Sequence, residues 1–106
     1  MSLNIKTHFN LEENLWLMDV AGEIDIYTAN KLKETLIQML NEHNESIKIN
    51  CEELEYLDST GLGVLIGALK RLKLKNKNIL INKPRSNILK LLNITGLNKI
   101  FIVEGE

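Results

Sequence analysis

The stretch that decides the fold is L-D-S-T-G-L-G at residues 57–63, where the spacing of the apolar residues changes. Before it, S-I-K-I-N-C at 46–51 alternates apolar and polar residues, which is typical of a half-buried β-strand. After it, the leucines and isoleucines of 62–72 recur every three or four residues, which indicates an amphipathic helix. The stretch therefore lies at a predicted junction between a strand and a helix.

The sequence before this junction predicts two strands and one helix. Residues 3–11 alternate and residues 15–20 are apolar nearly throughout, which favours two strands joined by a short hairpin. The residues of the first strand expected to face the core are Leu3, Ile5, Thr7, Phe9 and Leu11. Helical spacing over 28–43 follows, with Asp25 or Thr28 as candidate N-caps.

The sequence after the junction repeats the alternation of strand and helix. It predicts a strand at 79–81, a helix that opens near Ser86 and ends at Gly96, and a last strand near 100–103. Strands separated by helices favour parallel neighbours, whereas the opening pair should be antiparallel. We therefore predict one α/β domain over residues 1–106, with a mixed sheet of four to five strands and helices mainly on one face.

Composition and charge exclude several classes of protein. The chain has 106 residues, of which 44% are hydrophobic and 25% charged, as in ordinary globular domains. No apolar run approaches the roughly 18 residues of a membrane span, the first residues lack the layout of a secretion signal, and a single cysteine fits a reducing cytoplasm. Residues 1–58 carry a net charge of 4 − 12 = −8 and residues 59–106 carry 9 − 2 = +7. We expect the two halves to interleave and neutralise each other.

The residues around Ser59 do not predict an enzyme. A serine nucleophile needs a base, usually histidine, and the only histidines, His8 and His43, are predicted to lie elsewhere. G-L-G is too short for a phosphate-binding loop, and the chain offers no cluster of metal ligands. We expect no catalytic residue, no metal and no cofactor, and we expect Cys51 to be a buried apolar residue.

Two structural explanations compete with function at this junction. Serine is a favoured N-cap, so Ser59 could simply cap the helix that follows it. Gly63 and Gly67 lie four residues apart, nearly in line with Ser59, and each costs a helix about 1 kcal/mol relative to alanine. They allow either tight packing against the sheet or a smooth surface on which the backbone of a partner can rest.

The motifs resemble the STAS domain of bacterial anti-sigma factor antagonists over nearly the whole chain. The matching segments are G-E-I-D-I-Y-T-A at 22–29, L-E-Y-L-D-S-T-G-L-G-V-L at 54–65 and the closing I-T-G-L-N-K-I-F. The D-S-T-G-L-G segment, in its strand-to-helix context, is the most specific of them. Two departures are a threonine at position 60, where a second serine is common, and an end at Glu106, where many family members continue into another helix.

The resemblance implies a regulatory protein that binds other proteins. In the family, the unphosphorylated antagonist binds an anti-sigma factor that is a serine kinase, which frees the sigma factor for transcription. The kinase uses ATP to phosphorylate the serine, which ends the complex, and a phosphatase removes the phosphate. Ser59 would be the phosphorylated residue. The residues predicted to bind the partner are Glu23, Asp25, Tyr27, Thr28, Asp58, Ser59, Thr60, Gly61, Gly63 and Gly67.

Two other functions stay open. A STAS domain could instead act as a scaffold or sensor that binds a small ligand or another protein assembly. A nucleic-acid binder could use the basic residues Lys70, Arg71, Lys73, Lys75 and Lys77, although the acidic first half disfavours it. We expect no direct contact with nucleic acid or membrane, and a monomer when the protein is free.

Overall fold

The five strands lie in the sheet in the order in which they occur along the chain. A computed structural model describes residues 2–105. The first two strands are antiparallel, and every later pair of neighbours is parallel, which confirms the predicted mixed sheet. The strands are β1 (Leu3–Asn10), β2 (Leu15–Ile24), β3 (Ile47–Leu57), β4 (Ile79–Asn82) and β5 (Ile102–Glu104).

Three α-helices connect the parallel strands. They are α1 (Ala29–Glu42), α2 (Ser59–Lys73) and α3 (Ser86–Thr95), and a 3-10 turn (Leu97–Lys99) precedes β5. Gly96 ends α3 in the left-handed conformation, with φ +76°, as predicted from a glycine at that place.

The core lies between the helices and one face of the sheet. Buried side chains of all three helices join those of the strands in one hydrophobic cluster. The opposite face carries polar side chains, among them Lys6, Asp19, Lys48 and Asn50, which are exposed or half-buried. This arrangement confirms that the helices cover mainly one face.

Several boundaries differ from the predictions. The largest difference is in β3, which was predicted over residues 46–51 but continues to Leu57, because it pairs with β2 along that whole length. Thr7 and Leu11, both predicted to face the core, are exposed. Leu11 lies in the turn after β1 with 74% of its surface exposed, because the strand ends one residue earlier. β2 runs to Ile24 because it pairs with neighbours on both sides. β5 starts two residues later than predicted, since the backbone N–H of Phe101 still bonds to the carbonyl of Leu97 in the preceding turn.

Gly22 fixes the path of the chain as it leaves β2. Its φ is +107°, and a Cβ at this position would lie 2.2 Å from the carbonyl oxygen of Ser2, so only glycine fits. Glu23 N–H donates to the same carbonyl at 2.9 Å. Irregular pairing on either side of this glycine still brings Ile24 beside Leu57, so β2 and β3 end together.

Candidate functional site

Two predicted segments meet where β2 and β3 end. Residues 23–28 leave β2 and residues 58–61 leave β3, and the N–H of Asp58 donates to the carbonyl of Ile24 at 3.2 Å. The carboxyl ends of parallel strands are where α/β folds usually gather functional loops. The structure thus brings together the two segments in which the sequence placed most of the partner-binding residues.

Asp58, and not Ser59, is the N-cap of α2. One Asp58 carboxylate oxygen, Oδ1, accepts hydrogen bonds from the N–H groups of Thr60 at 3.0 Å and Gly61 at 3.1 Å. Ser59 is the first residue of the helix, so the expectation that it caps the helix is wrong. Both residue types are good caps, and the extended backbone at Asp58, with φ −108° and ψ −176°, decides between them.

The Ser59 hydroxyl is exposed, and among residues 2–105 it has no hydrogen-bond partner within reach. His43 follows the far end of α1, roughly 20 Å away along 14 helical residues. His8 pairs with Leu17, seven residues before the end of β2, which is about 23 Å at strand spacing. Neither imidazole can act as a base for Ser59, as predicted.

Residues 25–28 form a turn after β2, which Asp25 and Thr28 hold together. Oδ1 of Asp25 accepts from the N–H groups of Tyr27 at 2.8 Å and Thr28 at 3.1 Å. The Thr28 hydroxyl accepts from Asp25 N–H at 2.9 Å and donates to the Glu23 carbonyl at 2.8 Å. Thr28 stands at the N-cap position of α1, but its side chain makes no bond to the helix.

This turn divides the predicted partner-binding residues into two groups. Asp25 and Thr28 are buried, at 4% and 9% exposure, so in this structure they shape the turn from within. Tyr27 is 82% exposed and its neighbour Ile26, which the sequence analysis did not select, is 70% exposed. Ile26 could have been identified from the sequence because it stands between Asp25, a residue type that favours turns, and Tyr27.

The glycines of α2 have two different roles. Gly61 is buried, and a Cβ there would lie 2.4 Å from Cγ2 of Ile24 and 2.6 Å from Cδ1 of Leu57. Close packing against these two side chains therefore requires glycine at position 61. Gly63 and Gly67 are exposed, and a Cβ at either meets nothing within 4 Å, so packing against the sheet does not explain them. They leave bare helix backbone on the surface.

An open groove of about 510 Å³ lies between α1 and α2 beside these two glycines. Its apolar lining includes Ile37 and Val64, and its basic lining consists of Lys33 and Arg71. The groove begins at Thr60, next to Ser59. The sequence could not reveal it, because a groove depends on how two helices lie side by side.

The charges near Ser59 are acidic, and most basic residues lie elsewhere. Glu23, Asp25 and Asp58 form no ion pair within residues 2–105. The pairs Lys77–Glu45 at 2.8 Å and Arg85–Glu53 at 3.7 Å instead join the basic second half to the acidic first half. This agrees with the expected interleaving of the two halves.

Cys51 is buried in the core, as predicted, and burial raises the pKa of its thiol from 9.0 to about 12. Across residues 2–105, no three His, Cys, Asp or Glu side chains are grouped so as to hold a metal ion. The same residues include no helix long and apolar enough to cross a membrane.

Comparisons with known proteins agree on one family. The model of the STAS domain family matches residues 8–105. The anti-sigma-B factor antagonist of Staphylococcus epidermidis is 37% identical over 103 residues, which cover 97% of this chain and 94% of the relative. The antagonist of the same name from Staphylococcus aureus is also 37% identical over 103 residues, with the same coverage.

Solved structures share the fold at lower identity. The anti-sigma factor antagonist SpoIIAA in its unphosphorylated form has a TM-score of 0.79 at 17% identity, covering 94% of this chain and 87% of that one. SpoIIAA of Bacillus in its phosphorylated form has a TM-score of 0.73 at 17% identity, covering 94% and 90%.

Proposed function

The chain belongs to the STAS domain family, and on that premise we propose that it is an anti-sigma factor antagonist switched by phosphorylation of Ser59. The unphosphorylated protein binds an anti-sigma factor that is a serine kinase and thereby releases a sigma factor. The kinase transfers phosphate from ATP to Ser59, which ends the complex, and a phosphoserine phosphatase restores the starting state. The protein itself is not an enzyme and works as a cytoplasmic monomer when free.

One observation carries this proposal: the exposed Ser59 hydroxyl stands at the start of a helix that another residue already caps. Because the cap is Asp58, the serine oxygen is not needed to hold the helix N-terminus. A kinase can therefore modify it without removing a bond that supports the fold. No histidine lies near enough to make the same oxygen a nucleophile, so its accessibility suits a substrate of another enzyme.

The capping bonds also determine where the phosphate would go. A helix N-terminus usually attracts anions through its free N–H groups, but here Asp58 Oδ1 already accepts from the N–H groups of Thr60 and Gly61. A phosphate on Ser59 would compete with a carboxylate for those donors. We expect it to project from the surface instead.

Phosphorylation would add charge where the surface is already negative. Phosphoserine carries about −1.5 to −2 charges, and the nearby carboxylates of Glu23 and Asp58 have no basic partner within residues 2–105. A partner surface that fits a neutral hydroxyl would lose hydrogen bonds and meet repulsion. A loss of ~3 kcal/mol weakens binding more than a hundredfold, which is sufficient for a switch.

The experiment that tests the proposal combines this protein with the purified anti-sigma factor kinase of the same genome and ATP. We expect one phosphate per chain, located on Ser59 by mass spectrometry, and none on the Ser59→Ala variant. A scaffold or sensor that binds only a small ligand would stay unmodified. Phosphate on Thr60 in place of Ser59 would contradict the assigned site.

A further inference from the structure

The groove between α1 and α2 extends the candidate site away from Ser59. Both helices follow parallel strands, so they run side by side from the end of the sheet where Ser59 lies. The groove begins at Thr60 and reaches the point where Nη2 of Arg71 donates to Oδ1 of Asn41 at 2.9 Å. We propose that it receives an amphipathic helix of the anti-sigma factor, with two acidic residues about two turns apart. This inference rests on the proposed function.

The surface of the groove suits a helix. Leu36 and Leu40 form buried parts of its lining and Val64 a half-buried part. Gly63 and Gly67 add no side chain on the α2 side, so the backbone of a partner helix can come close there. Amphipathic helices commonly bind by laying their apolar face in such a groove.

The exposed apolar rim gives the partner helix an anchoring point. Ile37 lines the groove with 43% of its surface exposed. It lies between Lys33, one turn before it on α1, and Asn41, one turn after it. An apolar side chain in the middle of the partner helix would cover Ile37 and rest on the bare backbone at Gly67.

The charges of the groove determine the kind of helix that fits. Its lining includes the two cationic residues Lys33 and Arg71 and no acidic residue among residues 2–105. Lys33 forms no ion pair there, and the guanidinium of Arg71 bonds only to the neutral amide of Asn41. Eight helical residues separate Lys33 from Asn41, which corresponds to about 12 Å. Acidic residues at positions i and i+7 or i+8 of a partner helix would meet both cations.

The position of the groove relates it to the switch. Thr60 lines its entrance and directly follows Ser59, so a helix bound in the groove ends beside the phosphorylation site. A phosphate there would oppose the same partner whose acidic residues the groove attracts. The groove would therefore contribute binding affinity and select a partner with an acidic amphipathic helix. Phosphorylation of Ser59 would determine whether the complex forms.

A cross-linking experiment tests where the partner lies. In an Asn41→Cys variant, a maleimide carrying a photoreactive benzophenone should label only the new cysteine, because Cys51 is buried. Asn41 is exposed at the far end of the groove, so the label can reach a bound helix without filling the space beside Gly67. With the purified anti-sigma factor kinase, we expect cross-links to one helical segment that carries acidic residues seven or eight positions apart. Glu42→Cys, exposed on the same helix but outside the groove, is the matched control.

Two outcomes of the cross-linking would overturn the inference. One is a yield from Asn41→Cys no higher than from Glu42→Cys while the kinase is bound. The other is a cross-link between two copies of this chain without the kinase, which would make a second copy the occupant of the groove.

A charge reversal tests the predicted chemistry separately. In the Lys33→Glu/Arg71→Glu variant, we expect the affinity for the kinase to fall at least about tenfold, because each acidic partner residue would meet a like charge. Lys70→Glu/Lys75→Glu changes the net charge equally outside the groove and should keep the affinity within about twofold. The melting temperature of each variant establishes that it is folded.

The result for Ser59→Glu separates failure of the inference from failure of the proposed function. If the two charge reversals weaken binding equally while Ser59→Glu abolishes it, the groove is not the binding site but the switch remains. If the unmodified protein does not bind the kinase at all, the proposed function fails, and this inference fails with it.

Discussion

Replacing two glycines of α2 by alanine should change stability in opposite directions. A Cβ on Gly67 enters open space, so Gly67→Ala should gain up to about 1 kcal/mol from better helix propensity. A Cβ on Gly61 would lie 2.4 Å from Cγ2 of Ile24 and 2.6 Å from Cδ1 of Leu57. Both neighbours are buried, at 2% and 6% exposure, so they cannot easily move aside.

The expected difference between these two variants is large enough to measure. Overpacking a core costs roughly 1–3 kcal/mol, and contacts this short place Gly61→Ala in the upper part of that range. After the gain in helix propensity, we expect a net loss of about 1–2 kcal/mol. The variants should then differ by about 2–3 kcal/mol in the free energy of unfolding, or roughly 10–20 °C in melting temperature for a domain of this size.

Urea unfolding followed by tryptophan fluorescence measures this difference, because the single tryptophan, Trp16, is only 5% exposed. Helical circular dichroism provides a second probe of the same transition. If Gly61→Ala proved as stable as Gly67→Ala, the close packing of α2 against the ends of β2 and β3 would be wrong. The position of Ser59 depends on that packing.

Three further predictions concern the cap, the core and the exposed turn. Asp58→Ala should lower the free energy of unfolding by about 1 kcal/mol because two backbone N–H groups lose their acceptor, whereas Asp58→Asn should stay within a few tenths in the same urea assay. Burial raises the pKa of Cys51 to about 12, so the folded thiol stays neutral while the unfolded one ionises above pH ~9. The stability of the wild type relative to Cys51→Ala should therefore fall as pH rises from ~9 to ~12, by at most about 1.4 kcal/mol per pH unit; a pH-independent difference would contradict this. Ile26→Ser/Tyr27→Ser should weaken binding of the anti-sigma factor in calorimetry without loss of stability, while Leu74→Ser, 87% exposed beyond the far end of α2, should not; equal effects would exclude the turn from the interface.

The sequence predicted the order of strands and helices because the apolar spacing is regular in each element. It was wrong about the helix cap, because aspartate and serine are both strong caps and stand next to each other. Only the extended backbone conformation at Asp58 distinguishes it from Ser59 as the cap.

The candidate site was predictable in part. The two segments around Asp25 and Ser59 were identified because their motifs are unusual. The burial of Asp25 and Thr28 was not predicted, since polar residues in a turn normally lie on the surface. Here they are buried because their side chains satisfy backbone groups of the turn itself.

The surface at Gly63 and Gly67 shows a different limit of the sequence. The four-residue spacing indicated a bare stripe on a helix but left its direction open. The direction follows from how α2 packs on the sheet, which buries Leu65 and Leu69 and turns both glycines outward. The groove beside these glycines is also lined by residues of α1. No local pattern in the sequence of α2 could reveal that α1 lies there.

The most direct test of the account is the affinity of the anti-sigma factor kinase for the two forms of this protein, measured by calorimetry. The account predicts that phosphate on Ser59 weakens binding at least about a hundredfold. It also predicts that Ser59→Ala binds like the unphosphorylated protein and keeps that affinity after incubation with ATP. If the phosphorylated protein bound within a few-fold of the unphosphorylated one, phosphorylation of Ser59 would not be the switch.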